Sequence, residues 1–128
     1  MSAGDPVRFI PPGERVTQPT PGGGMVREQA VSTPSMWAGL ARTRPGSDSG
    51  WHHHGEYEST IFVVSGRLRM ESGPGGTSVM EAGPGDFLYV PPAAIHREIN
   101  PTSDENQLVV VRGGSGPPII NVDGPAPG

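Results

Sequence analysis

Apolar positions along this chain come in short runs separated by turn residues. The runs are 36–43, 60–64, 67–71, 77–81, 86–90, 95–100 and 107–112. They end at Ser65-Gly66, Ser72 to Gly76, Gly83-Pro84-Gly85, Pro91-Pro92, Pro101 and Gly113-Gly114. β-Branched and aromatic residues fill them, and none is long enough for an amphipathic helix, so seven strands of an all-β sandwich or barrel are predicted. Gly73 to Gly76 and Gly83 to Gly85 are expected to be hairpin turns.

The flanks differ. Residues 1–35 carry Pro11-Pro12-Gly13, Pro19-Thr20-Pro21-Gly22-Gly23-Gly24 and Thr33-Pro34, with only short apolar pieces such as 7–10 and 25–26 between. This spacing of breakers supports an extended N-terminal arm, with short strands or none. Residues 113–128 form a Gly/Pro-rich tail whose one apolar pair, Ile119-Ile120, either covers a sheet edge or stays loose. The domain is therefore expected over 36–112. Of the 36 Gly and Pro residues in the chain, 16 fall in those 77 positions and 20 in the other 51.

Composition narrows the chemistry. The 128 residues suit one domain, and a net charge of −4 is too weak to keep it unfolded by self-repulsion. No Cys is present, which removes disulfides and thiolate ligands, and all nine basic residues are Arg, which removes Schiff-base chemistry. No run reaches the ~20 apolar residues of a membrane helix. The first residues lack a basic-then-apolar signal pattern, so a cytoplasmic location is expected. Acidity with scattered Arg argues against nucleic acid as a partner. Neither a phosphate loop nor a nucleophile elbow occurs.

The four histidines fall in two places: His52, His53 and His54 together, and His96 alone. Alternate residues of a strand share a face, so His52 and His54 point together and His53 points away. Glu58 follows four residues after His54. If a barrel carries His96 opposite them, three imidazoles and a carboxylate meet, a donor set suited to a divalent first-row metal with about two coordination sites left open. Glu98 and Asn100 share the His96 face and are candidates for the pocket, Asn100 equally for a turn before Pro101. Met36, Trp37, Phe62, Phe87 and Tyr89 are candidates for an apolar cavity or for ordinary core. Arg42, Arg67 and Arg69 are candidates for gripping a substrate carboxylate or for a solvated strand face.

The spacing around both clusters resembles the two motifs of small single-domain cupins, of the RmlC-like jelly-roll type. The first motif is Gly, five residues, His-x-His, three or four residues, Glu, about six residues, Gly. Here Gly46, His52, His54, Glu58 and Gly66 follow it, with one extra residue before Gly66. The extra residue suggests a bulge, or leaves open which acidic residue binds; the direct fit favours Glu58 over Glu56. The second is Gly, five residues, Pro-x-Gly, two residues, His, three residues, Asn, matched by Gly85, Pro91, His96 and Asn100. Ala93 stands where that motif has Gly, so this turn is expected to avoid a strongly positive φ.

The resemblance implies a double-stranded β-helix barrel with one divalent transition metal per chain (Fe, Mn, Ni, Zn or Cu), held by His52, His54, Glu58 and His96. It also implies a small-molecule ligand or substrate, and a homodimer to which the N-terminal arm contributes. It fixes no single activity: a metal-dependent oxygenase, isomerase or lyase is one expectation, a non-catalytic binding or sensing module the other.

Overall fold

Turn residues set the strand ends, and the pattern between them decides which side chains face inward. The computed structural model describes residues 4–19, 24–116 and 119–127. The strands are β1 (Val16–Pro19), β2 (Met25–Thr33), β3 (Met36–Thr43), β4 (His52–His53), β5 (Glu58–Ser65), β6 (Leu68–Ser72), β7 (Ser78–Ala82), β8 (Phe87–Val90), β9 (His96–Ile99), β10 (Asn106–Gly113) and β11 (Ile120–Asn121). All seven predicted runs are strands. A short 3-10 turn over Pro12–Glu14 precedes β1.

Two antiparallel sheets face each other. One runs β1-β2-β3-β10-β5-β8, the other β11-β4-β9-β6-β7. This is a jelly-roll barrel, as the resemblance implied. The segment read as an arm supplies β1 and β2, and β2 lies along β3 of the same chain from Met25↔Thr43 to Thr33↔Met36. The part of the Pro/Gly cluster at 20–23 lies outside the described residues. In the tail, Ile120 pairs with His53 and Asn121 with His52, so β11 covers the edge of the five-stranded sheet.

Alternation builds the core. Leu108 and Val110 point inward from β10, Ile61 and Val63 from β5, and Leu68 and Met70 from β6. Leu68 and Val63 are completely buried. Each such side chain contributes about 1.5–3 kcal/mol by leaving water. The β5–β10 pairing steps from Gln107↔Ser65 to Leu108↔Val63, which leaves Val64 as a bulge just before Gly66. Gly39 allows β2 to close on β3: a Cβ there would stand 2.3 Å from the Glu28 carbonyl oxygen.

Two expectations change and one open alternative is settled. Gly73 to Gly76 does close the β6–β7 hairpin, but Gly83-Pro84-Gly85 carries the chain from β7 in one sheet to β8 in the other. Asp86 fixes that crossing: its carboxylate accepts from the Gly83 N–H at 2.8 Å. Ala93 does adopt positive φ, at 60°, alone among the described non-glycine residues. Its N–H donates to the Gly55 carbonyl at 2.7 Å, which holds the turn in this form despite the Cβ. Asn100 closes a turn, away from the pocket. Its Nδ2 donates to the carbonyls of Thr43 (3.0 Å) and Asp104 (2.7 Å), and its Oδ1 accepts from the N–H and hydroxyl of Thr102.

Candidate metal centre

His52 on β4 and His96 on β9 are direct cross-strand partners, and this register brings the two histidine clusters together. Their ring centroids are 4.3 Å apart; His54 lies 4.9 Å from His52 and 5.1 Å from His96. All three are buried, and one ring nitrogen from each falls within 4.8 Å of the others. Two backbone carbonyls set the tautomers. His52 Nδ1–H donates to Gly50 O and His96 Nδ1–H to Ala94 O, both at 2.9 Å. The lone pair is thereby left on Nε2, the atom that would face an ion. His96 Nε2 is buried without a hydrogen-bond partner. Burial also pushes the His52 pKa down, with His96 adding to the effect against Glu98, so this imidazole is neutral at pH 7. His53 points away, as alternation requires, and its Nδ1 accepts from the Gly55 N–H.

Glu58 does not join the three imidazoles. It is exposed, and its carboxylate accepts from the Tyr89 hydroxyl at 3.1 Å on the outer face of the barrel. The next residue, Ser59, points inward with a buried hydroxyl that has no partner. Leaving four residues between, the other spacing the motif allows, leads from His54 to Ser59, and then six residues separate it from Gly66. The extra residue therefore vanishes, and the motif's acidic position is a serine. That count was available in the sequence.

A carboxylate outside the histidine trio lines the cavity beside it from β9. Glu98 is buried two residues beyond His96, on the same face. Burial opposes its ionisation, but His96, His52, Arg27 and His54 outweigh it and hold the carboxyl below the usual carboxylate range. Two arginines that the sequence reading passed over complete the end of the barrel: Arg27 on β2 and Arg112 on β10. Arg112 is 6% exposed, its Nε has no partner, and its guanidinium lies 5.6 Å from the Trp37 ring. Burial and the nearby Arg27 bring its pKa down to about 10. Arg42, Arg67 and Arg69 instead pair on the outer surface with Glu28, Glu81 and Glu71.

Three spaces meet here. An internal cavity of about 20 Å³ lies against His54, His96, Ser59, Glu98, Arg27 and Arg112. A groove of about 450 Å³ reaches His52 past Arg27, Thr43 and Asp48. Another of about 280 Å³ runs along Met36, Trp37 and Tyr57 to Arg27 and Arg112. Trp37 and Met36 thus line a groove, whereas Phe87 and Tyr89 are exposed on the outer face, Phe87 4.8 Å from Phe62.

The donor set fits a transition ion: three buried imidazoles, two of them ring-oriented by carbonyls, with an orphaned buried Nε2 and a carboxylate nearby. Comparisons with known proteins agree on the barrel. The structure of an uncharacterized protein with a double-stranded β-helix domain from Klebsiella pneumoniae superposes with a TM-score of 0.71 at 21% identity, covering 90% of this chain and 96% of that one. KdgF from Halomonas gives 0.69 at 19%, covering 84% and 94%. The polyketide cyclase RemF from Streptomyces resistomycificus gives 0.75 at 18%, covering 91% and 85%. No curated protein matches the sequence. The model of the family described as "Cupin domain" matches residues 39–112, more than half of the chain, and with both histidine clusters on adjacent strands of one jelly roll the protein belongs to the cupin family.

Proposed function

We propose that this cupin is a metal-dependent enzyme acting on a small molecule, by oxygenase, isomerase or lyase chemistry, with His52, His54 and His96 as the protein ligands. The observation that carries the reading is the buried trio of ring nitrogens within 4.8 Å of one another, beside an open groove that reaches His52. Three imidazoles leave about half of an octahedral ion's positions for water and substrate, which a purely structural role would not need. A bound divalent ion would supply Lewis-acid chemistry, or oxygen chemistry if redox-active. Glu98 is the group placed to hold or pass a proton beside the imidazoles.

The test is elemental analysis of protein purified without a His tag, alongside His96→Ala. Near one transition metal per chain, lost in the variant, is the expected result. No metal in either protein after ions are added back overturns the reading. The non-catalytic binding module then takes its place, a reading favoured by the serine at the motif's acidic position.

A homodimer is part of the same proposal. The register Leu40↔Val109↔Phe62↔Phe87 lays an apolar row across four strands of the six-stranded sheet's outer face, and Phe87 at its end is 70% exposed. A second copy packed on this row would cover it. Sedimentation showing a monomer at micromolar concentration overturns this part. Among the described residues no helix is long and apolar enough to cross a membrane.

A further inference from the structure

Arg27 and Arg112 line both the internal cavity beside the histidines and the Trp37–Tyr57 groove, so they stand between the two spaces. Neither forms a salt bridge among the described residues, whereas Arg15, Arg42, Arg67, Arg69 and Arg97 all do. Arg112 is the more enclosed of this pair, with an unpartnered Nε and no carboxylate within salt-bridge distance among the described residues, and a buried cation left so is costly. The charged groups facing this junction are the two guanidiniums and Glu98, with the Tyr57 hydroxyl beside Arg112. The two guanidiniums exceed the Glu98 carboxylate by one positive charge, and a divalent ion would raise the excess to three.

A planar guanidinium binds a carboxylate through two parallel hydrogen bonds, and two guanidiniums can share its oxygens. The groove beyond them offers a fixed aromatic wall: Trp37 Nε1 donates to Gln29 Oε1 at 3.0 Å, which holds the indole in place. We propose that the ligand of this site is an organic carboxylate whose carboxyl group is held by Arg27 and Arg112 and whose apolar body lies along Trp37. The assignment rests on the reading of the site as a small-molecule centre and names the class of molecule it takes. It also explains why β2 carries a charged residue on an inward-facing position.

The experiment is calorimetric titration at pH 8 of metal-free protein with benzoate, its neutral analogue benzamide, and phenyl phosphate. Benzoate is expected to bind at least ten-fold more tightly than benzamide and more tightly than phenyl phosphate. Arg27→Gln, at a partly exposed position, is expected to weaken benzoate at least ten-fold and leave benzamide unchanged, with circular dichroism confirming the fold. Arg112→Gln should do the same, with circular dichroism confirming that the variant is folded. Equal binding of benzoate and benzamide, preference for the phosphate, no saturable binding of benzoate, or an unchanged benzoate affinity in Arg27→Gln each overturns the proposal. Metal uptake by the same preparations when ions are added back separates the two readings. Benzoate binding without metal uptake removes the metal-enzyme reading alone; metal uptake without carboxylate selectivity removes this one alone.

Discussion

The two ends of this barrel are built from the same strands and do opposite things. Along β10, Leu108 and Val110 point into an apolar core, and Arg112, two residues on, points into the polar mouth. Along β5, Val63 and Ile61 join the core, and Ser59 faces the histidines. β2 repeats the change from Met25 to Arg27. One inward stripe thus stabilises at one end and, at the other, buries imidazoles, a carboxylate and guanidiniums that a stability-driven sequence would avoid. Stability and function thus fall to different residues of the inward stripes, which meet at the internal cavity, where Ile61, Leu108 and Val110 line the same space as His54, His96 and Arg112.

The sharpest separation comes from Leu68→Ala. Leu68 is wholly buried. Its truncation is expected to cost about 2–5 kcal/mol in urea unfolding, while any protein that remains folded keeps its full metal content. A variant that loses metal while folded would join the two ends that the comparison separates. Asn100→Ala follows. Its side chain satisfies the buried Thr43 carbonyl and ties the turn through Thr102 and Asp104. A loss of about 2–3 kcal/mol is expected, from the stranded carbonyl and the untied turn, again with the histidine centre intact. Had Asn100 belonged to the pocket, ligand binding would fall before stability does.

The same division explains what the sequence disclosed. At the apolar end, alternation and breakers coincide, so β3 and β5 to β10 were legible from hydrophobic pattern alone. β2 was not, because its inward positions after Met25 are Arg27 and Gln29, polar residues that belong to the mouth and erase the alternation. Arg27 and Arg112 were passed over for the same reason: an arginine in a strand reads as a solvent-facing residue, and only the opposing sheet shows that these two face inward. The histidines were legible because the family's spacing marks them. Asn100 matched the motif as well, but a motif position does not say whether it serves chemistry or a turn.

On the outer wall of the five-stranded sheet, Glu71 tests a third kind of contact. Hydrogen bonds from Arg97 and Arg69 hold its carboxyl below its ordinary value of 4.5. A carboxyl lowered on folding adds stability that is complete above 4.5 and is lost as pH falls below it toward the folded value. Thermal unfolding between pH 5 and pH 3 should show this loss, and Glu71→Gln should reduce it. An unchanged slope in the variant would assign the acid sensitivity to the buried Glu98 end instead. A smaller effect is expected at Ala93. Left-handed backbone costs a non-glycine residue roughly 1–2 kcal/mol, and glycine's extra freedom in the unfolded chain returns roughly 0.5–1 of that. Ala93→Gly should therefore raise stability by about 0.5 kcal/mol, or roughly 2 °C in melting temperature.

The smallest expected effect concerns the residue that the motif singled out. Glu58 lies outside the barrel, bonded to Tyr89, one position before the inward-facing Ser59. In a strand, one position is the difference between the two faces of the sheet, so no rotamer change carries the Glu58 carboxylate to the imidazoles; β5 would have to slip in register, taking Ile61 and Val63 out of the core. Glu58→Gln is expected to leave metal per chain unchanged and to alter stability by less than ~0.5 kcal/mol, as exposed substitutions do. Loss of metal in that variant would mean that β5 does slip when an ion is bound, and the separation between the two ends would then hold only for the metal-free barrel.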